Sequence, residues 1–274
     1  MHSPDASTQG PLSSRSTLSS DGKTSIARSF ASMPPASFAF VMATGIVSTG
    51  LKLADAELPS RILFVIAVLG AAILAVGLMI RLGRSFGDVM ADLRAPARAF
   101  GFFTLVAAAN MLSTRFDLFG WRAPALTQAV LGALLWFILT YAVPTQLLFA
   151  ERQRSIIEDI NGSWFLWAVG TQSVALTATM AARVYESALM AAAAVGLWAV
   201  GVALYLILAT LVTIRLLLHA IEQEPLSPTY WIYMGATAIS VLAGAQILHL
   251  PSELPVMAAT APIVSGISYM LWAL

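Results

Sequence analysis

Eight apolar stretches dominate this chain: residues 38–53, 62–80, 100–113, 125–149, 164–182, 189–217, 231–250 and 256–274. Only two charged side chains fall within them, Lys52 and Arg215. In a bilayer the backbone must satisfy its own N–H and C=O groups, which leaves helices for segments of this length. A hydrocarbon core of about 30 Å takes roughly 20 residues of helix. The shorter stretches therefore begin earlier, in the more polar residues before them. Hydrophobic residues make up 58% and charged residues 11% of the chain, where a soluble protein carries about 25% charged. That excludes a soluble globular enzyme, and it excludes disorder for most of the chain. The expected fold class is an all-α polytopic membrane protein with about eight spans.

Residues 1–33 differ from the rest. They hold ten Ser, no apolar run and no signal-peptide pattern, and they read as a disordered cytoplasmic tail. Residues 34–274 form the expected transmembrane domain. Orientation follows from Lys and Arg in the loops. The tail and the loops on its side carry Arg15, Lys23, Arg28, Arg81, Arg84, Arg94, Arg98, Arg152, Arg154 and Arg215. The opposite side carries Lys52, Arg61, Arg115, Arg122 and Arg183. Ten against five places the N-terminus in the cytoplasm of a multi-pass protein of the plasma or inner membrane.

The chain also repeats. Four odd-numbered spans begin alike: Pro35-Ala-Ser-Phe38, Ala97-Arg-Ala-Phe100, Asn161-Gly-Ser-Trp164 and Pro228-Thr-Tyr-Trp231. The anchoring aromatics are 62, 64 and 67 residues apart (38 to 100, 100 to 164, 164 to 231). One repeat is thus a helical hairpin, and all four enter the membrane from one side, as parallel repeats do. Pro suits the first helical turn, Asn161 and Ser163 suit a cap, and aromatics suit the interface.

Odd and even spans differ in composition. The odd spans carry small and hydroxylated residues, and the even spans are mostly aliphatic. Small polar residues belong inside a bundle, so the odd helices are expected to form an inner ring around a central path. The candidate pore-lining donors are Thr44, Ser48, Thr104, Asn110, Thr171, Gln172, Thr237 and Ser240. Phe40, Phe103, Trp167 and Tyr233 lie about one turn into the odd spans and are candidates for a constriction. Close helix packing explains the same small residues, and interface anchoring the same aromatics. The stripe has no Asp, Glu, Lys or Arg, unlike the paths of most cation carriers, and O–H and N–H donors select anions.

Other classes lack their signatures. No cysteine and only three histidines are present, so neither thiolate chemistry nor a histidine metal cluster is expected. Walker A, H-E-x-x-H and G-x-S-x-G patterns are absent. A net charge of +1 gives no field that would attract nucleic acid. Neither an enzymatic activity nor a cofactor is expected.

Together the four leaders, with Asp92-Leu-Arg-Ala-Pro96, Ala43-Thr-Gly-Ile-Val-Ser48 and Thr171-Gln-Ser173, resemble the tellurite-resistance/dicarboxylate transporter family, over residues 34–250. That family includes TehA-like proteins, malate and sulfite carriers and slow-type anion channels. The resemblance implies ten helices in five hairpins of pseudo-five-fold symmetry, a pore lined by odd helices, and a homotrimer in the lipid bilayer. It also implies transport of small anions or of C4-dicarboxylates such as malate, in a channel-like manner. The alternatives are a proton-coupled dicarboxylate, sulfite or tellurite-resistance exporter, or a non-transporting fragment or scaffold. Continuing the anchor steps puts a fifth aromatic at about residue 295. The expectation is therefore a C-terminally truncated copy of a ten-helix transporter.

Overall fold

The computed structural model describes residues 33–149, 156–218 and 228–274, and these contain helices and no strand. Eight long helices follow in order: α1 (Ala39–Leu53), α2 (Glu57–Arg84), α3 (Phe103–Leu118), α4 (Arg122–Phe149), α5 (Phe165–Tyr185), α6 (Ala188–Leu218), α7 (Ile232–Leu248) and α8 (Pro255–Trp272). Counted with their leaders, seven are long and apolar enough to cross a membrane. The third qualifies together with the short helix Phe86–Arg94, from which it is bent by 104°. The protein is an all-α multi-pass membrane protein. Apart from Met33, the expected tail lies outside the described residues, as do Arg152 and Arg154.

All four leaders fold alike. Each inner helix is preceded by one 3-10 turn: Pro35–Phe38, Phe100–Phe102, Gly162–Trp164 and Pro228–Trp231. The cause is local. Pro35 occupies the first turn of its leader, and the Asn161 side chain caps the third by accepting a bond from the Ser163 N–H at 2.8 Å. The leaders also touch in sequence. A Cβ at Gly101 would lie 3.1 Å from the Ala36 nitrogen, and one at Gly162 would collide with the Thr229 carbonyl. Ser163 Oγ reaches the Ala97 carbonyl at 3.5 Å, and Thr104 Oγ1 reaches the Pro35 carbonyl at 3.3 Å.

Helix lengths explain this collar. With a rise of about 1.5 Å per residue, the 15 residues of α1 span about 22 Å, whereas the 28 of α2 span about 42 Å. Three of the four inner helices, α1, α3 and α7 with 15, 16 and 17 residues, are too short for a core of about 30 Å, so their leaders complete the crossing, whereas the 21 residues of α5 span about 31 Å. Non-helical backbone at that depth is tolerated only when buried in protein. Phe100, Gly101, Phe102, Gly162, Ser163 and Trp164 are indeed buried.

Consecutive inner helices pack in order, α1 on α3, α3 on α5, α5 on α7. Each outer helix packs on its own hairpin partner, and α2, α4 and α6 also pack on the next inner helix. The result is an arc with α3 and α5 at its centre. Most of α5 with its leader is buried, 78% against 17% for α2 and for α4. The flanking inner helices are half open. An exposed stripe on α1 runs through Phe40, Ala43, Val47 and Gly50, and one on α7 through Met234, Gly235, Ala238 and Leu242.

Left-handed residues turn the first three hairpins: Asp55, Gly120 and Glu186. Serines then clasp two of them. Ser48 Oγ and Ser60 Oγ each donate to the other's carbonyl at 2.7 Å, and Ser113 Oγ donates to the Ala125 carbonyl at 2.7 Å. At the leader end, Ala95 precedes Pro96 and is extended, so the chain cannot run straight from Phe86–Arg94 into α3. Arg81, buried in the last turns of α2, pairs with buried Asp92 of that short helix and donates to the Met33 carbonyl at 2.8 Å. Arg98 reaches the same carboxylate at 2.8 Å.

Two outcomes test this packing. Gly162→Ala should lower the stability of the purified protein by about 1–3 kcal/mol, through overpacking against Thr229. Asp92→Ala leaves Arg81 buried without its counter-charge and should cost about 3–5 kcal/mol. Thermal unfolding in detergent, read by tryptophan fluorescence, checks both.

Candidate functional site: the inner seam

Three of the four repeats share an aromatic followed four residues later by Thr. Each Thr donates back to the carbonyl of that aromatic: Thr44 to Phe40 at 2.7 Å, Thr171 to Trp167 at 2.9 Å, Thr237 to Tyr233 at 3.0 Å. The second repeat has Phe103 followed by Ala107. Two of these threonines also bond to the preceding outer helix. Trp136 Nε1 of α4 donates to Thr171 Oγ1 at 2.9 Å, and the Thr237 and Tyr205 hydroxyls, the latter on α6, are bonded to each other at 2.7 Å.

The remaining candidate donors are also engaged. Ser48 belongs to the α1–α2 clasp, and Thr104 donates to the Gly101 carbonyl at 2.7 Å within the leader collar. Gln172 Nε2 donates to the Trp198 carbonyl at 3.2 Å and the side chain is seated over Gly201 of α6. Ser240 Oγ donates to the Ala236 carbonyl at 2.7 Å, and its own carbonyl accepts from Trp198 Nε1 at 2.9 Å. Asn110 lies between the two central helices. Its Nδ2 donates to Ser173 Oγ at 2.9 Å, and its Oδ1 accepts from Thr177 Oγ1 at 3.2 Å. Gly132 of α4 leaves room for this amide.

The four candidate aromatics fall into different groups. Phe103 and Trp167 meet Phe100 and Trp164 at the leader end of α3 and α5, with ring centroids 4.5–6.4 Å apart. Tyr233 joins Phe165 and Tyr205, each at 5.4 Å, between α5, α6 and α7. Phe40 lies against Gly70 of α2 and is 53% exposed. Phe103 sits over Gly170 of α5 in the same way, 2.8 Å from where a Cβ would be.

The seam between α3 and α5 is consequently buried and close-packed. Along α3 up to Phe116, only Leu105, Thr114 and Phe116 are partly exposed. Within it, the indole N–H groups of Trp164 and Trp167 are buried with no acceptor among the described residues. Buried donors are rarely left without a partner, which marks this end of the seam. The inner helices carry one carboxylate, Asp117, in the last turn of α3.

Sequence reasoning missed Ser173 and Thr177 as partners of Asn110, although their i, i+4 spacing on one face was available. It also missed Trp136, Trp198 and Tyr205. Aromatics with a polar tip deep in an aliphatic span need an acceptor, and that was the signal. The Asn110–Ser173 bond is testable with Asn110→Ala, Ser173→Ala and the double variant. A coupling energy of about 0.6–1.7 kcal/mol is expected from unfolding in detergent. A coupling near zero would show that the bond contributes nothing.

Residues 32–274 match the family described as voltage-dependent anion channel, SLAC1. Two uncharacterized membrane proteins from strains of Mycobacterium tuberculosis are each 44% identical over 70 residues, 26% of this chain and 35% of theirs. The chain thus spans about a third of the length of these relatives. An uncharacterized transporter of Methanocaldococcus jannaschii is 24% identical over 251 residues, 87% of this chain and 70% of its own. No solved structure matches. With the family match covering nearly all of the bundle, the chain belongs to the SLAC1 family of anion channels and tellurite-resistance/dicarboxylate transporters.

Proposed function

We propose that the protein moves anions across the membrane along the inner face of the α1–α3–α5–α7 arc. The observation that carries this reading is the pair of buried indole donors, Trp164 and Trp167, left without acceptors at the leader end of the seam. Unspent N–H groups in a low-dielectric site favour negative charge. Family membership and the transporter among the relatives support the same direction. Thr44, Ser48, Thr104, Asn110, Thr171, Gln172, Thr237 and Ser240 are proposed to form the polar wall of the path. Phe40, Phe103, Trp167 and Tyr233 are proposed as its narrowing. Because most of these side chains are bonded to neighbouring helices, passage requires them to exchange partners, with the anion replacing an internal acceptor.

The substrate class is small inorganic anions or C4-dicarboxylates such as malate, moving passively, in a homotrimer of the plasma or inner membrane. The leader end is placed in the cytoplasm, by the excess of Lys and Arg there. Absence of a carboxylate in the middle of the inner helices favours passive movement over proton coupling.

Reconstituted protein should admit labelled malate or pass chloride current, and an imposed pH gradient should leave the rate unchanged. Trp167→Phe keeps an aromatic side chain and removes the donor, and should reduce the flux about tenfold, the worth of one bond to a charged group. Thr237→Leu should lower flux while the protein stays folded. Since the chain has no cysteine, a single Ser85→Cys reports sidedness directly. It should react with a membrane-impermeant maleimide only in inside-out vesicles.

A further inference from the structure

Two halves of an unmade bond meet toward the leader end of the α4–α5 interface. Thr140 Oγ1 of α4 and Trp167 Nε1 of α5 are both buried, and neither has a partner among the described residues. Thr140 also departs from the other helical threonines. Thr44, Thr127, Thr171 and Thr237 each donate to the carbonyl four residues back, and Thr140 does not. Helical threonine divides between two rotamers, and only one of them bonds its own helix.

Helix register brings the two groups together. Trp136 Nε1 donates to Thr171 Oγ1 at 2.9 Å, which fixes the level at which α4 and α5 meet. The helices run in opposite directions, so four residues toward the leaders lead from Trp136 to Thr140 on α4 and from Thr171 to Trp167 on α5. Residues four apart share a helix face. Thr140 and Trp167 therefore both face this interface, about 6 Å nearer the leaders than the existing bond. α3 gives the same level independently. Asn110 is seated over Gly132 of α4, and seven residues toward the leaders lead to Phe103 on α3 and Leu139 on α4. Phe103 is the ring whose centroid stands 6.4 Å from that of Trp167.

Among Phe100, Phe103 and Trp167, the two phenylalanines are fully enclosed and Trp167 is only partly buried. The indole is the member of the group with freedom to turn. A buried donor and a buried acceptor are both costly to leave without partners, and one change of rotamer joins them. We infer that Thr140 is the resting acceptor of Trp167: the indole turns toward α4 and donates its Nε1–H to the Thr140 hydroxyl. The bond repeats the Trp136–Thr171 contact with the roles of the two helices exchanged. Thr140 is then a positioning residue. It holds the donor of Trp167 against α4, and that donor is free for an anion only when the bond is open, as it is in the structure. This last consequence rests on the reading of Trp167 as part of an anion path, whereas the bond itself does not.

The indole N–H resonance of Trp167 reports the bond directly. It is measured on the full chain, isotope-labelled at tryptophan, in detergent micelles, and assigned by its loss in Trp167→Phe. Thr140→Val keeps the branched shape without the hydroxyl and should move this resonance upfield. Thr140→Ser should leave it at the wild-type position. A Trp167 resonance that stays in place in Thr140→Val overturns the bond. Should that variant not fold, Thr140→Ala carries the same expectation. In vesicles, Thr140→Val should lower the chloride or malate concentration for half-maximal flux by about two- to tenfold, the worth of one hydrogen bond. The same substitution should change nothing in a Trp167→Phe background. Equal half-saturation in wild type and Thr140→Val overturns the positioning role. A wild type without any flux defeats the transport reading alone, and the resonance still decides the bond.

Discussion

Everything in this bundle depends on where irregular backbone is permitted. Three of the four inner helices are too short to cross the hydrocarbon core, and the turns that complete them would expose unpaired N–H and C=O groups to lipid. Packing each leader against the next buries the second and third, while the fourth, Pro228–Trp231, stays at the open end of the arc with no buried residue. Gly162 approaches Thr229 so closely that a side chain would collide with it, and Gly101 packs tightly on Ala36. Once the leaders are stacked, the entry points of the four inner helices are fixed. The long outer helices, free of that constraint, then fill the perimeter.

A second layer of order comes from the outer helices reaching forward. Trp136 of α4 bonds to Thr171 of α5, and Trp198 and Tyr205 of α6 bond to Ser240 and Thr237 of α7. Lipid is as apolar as leucine, so aliphatic surface alone gives helices little reason to choose one neighbour over another. Hydrogen bonds and glycine seats supply that choice. Phe40 on Gly70, Asn110 on Gly132, Phe103 on Gly170 and Gln172 on Gly201 each pair one large side chain with one missing Cβ. Such pairs set the register between neighbouring helices.

Much of the fold was legible because it follows from period and solvent. Apolar runs fix the spans, anchors 38, 100, 164 and 231 fix the hairpins, and the odd–even contrast assigns inner and outer helices. The boundaries were less legible. α2 runs Glu57–Arg84 rather than 62–80, because charged residues such as Arg61, Arg81 and Arg84 continue a helix beyond the apolar core. The 104° bend at Pro96 was equally hidden, since Phe86–Arg94 is too polar to read as membrane. Within the seam, residue type was readable and orientation was not. Thr171 and Gln172 are neighbours in sequence, so they point about 100° apart on a helix, one to α4 and one to α6. A stripe drawn on one helix cannot say which neighbour it meets.

The balance of unpaired groups gives a more general statement about charge. Buried side-chain atoms without partners among the described residues include Nε of Arg81, Nε and Nη1 of Arg115, and the indole nitrogens of Trp164 and Trp167. All of these can only donate. Against them stands a single pure acceptor, Oε1 of Gln172, while Thr140 and Ser268 have hydroxyls that serve either role. A bundle that transported cations would present the reverse, with spare carbonyl or carboxylate oxygens facing its path. Here the hydroxyl protons are spent internally: those of the threonines on the carbonyls four residues back, those of the Ser48–Ser60 clasp on each other's carbonyls, and that of Thr177 on Asn110 Oδ1. Among the described residues, the buried side-chain atoms without a partner are thus mostly N–H groups, and these are the atoms from which the proposed preference for anions is argued.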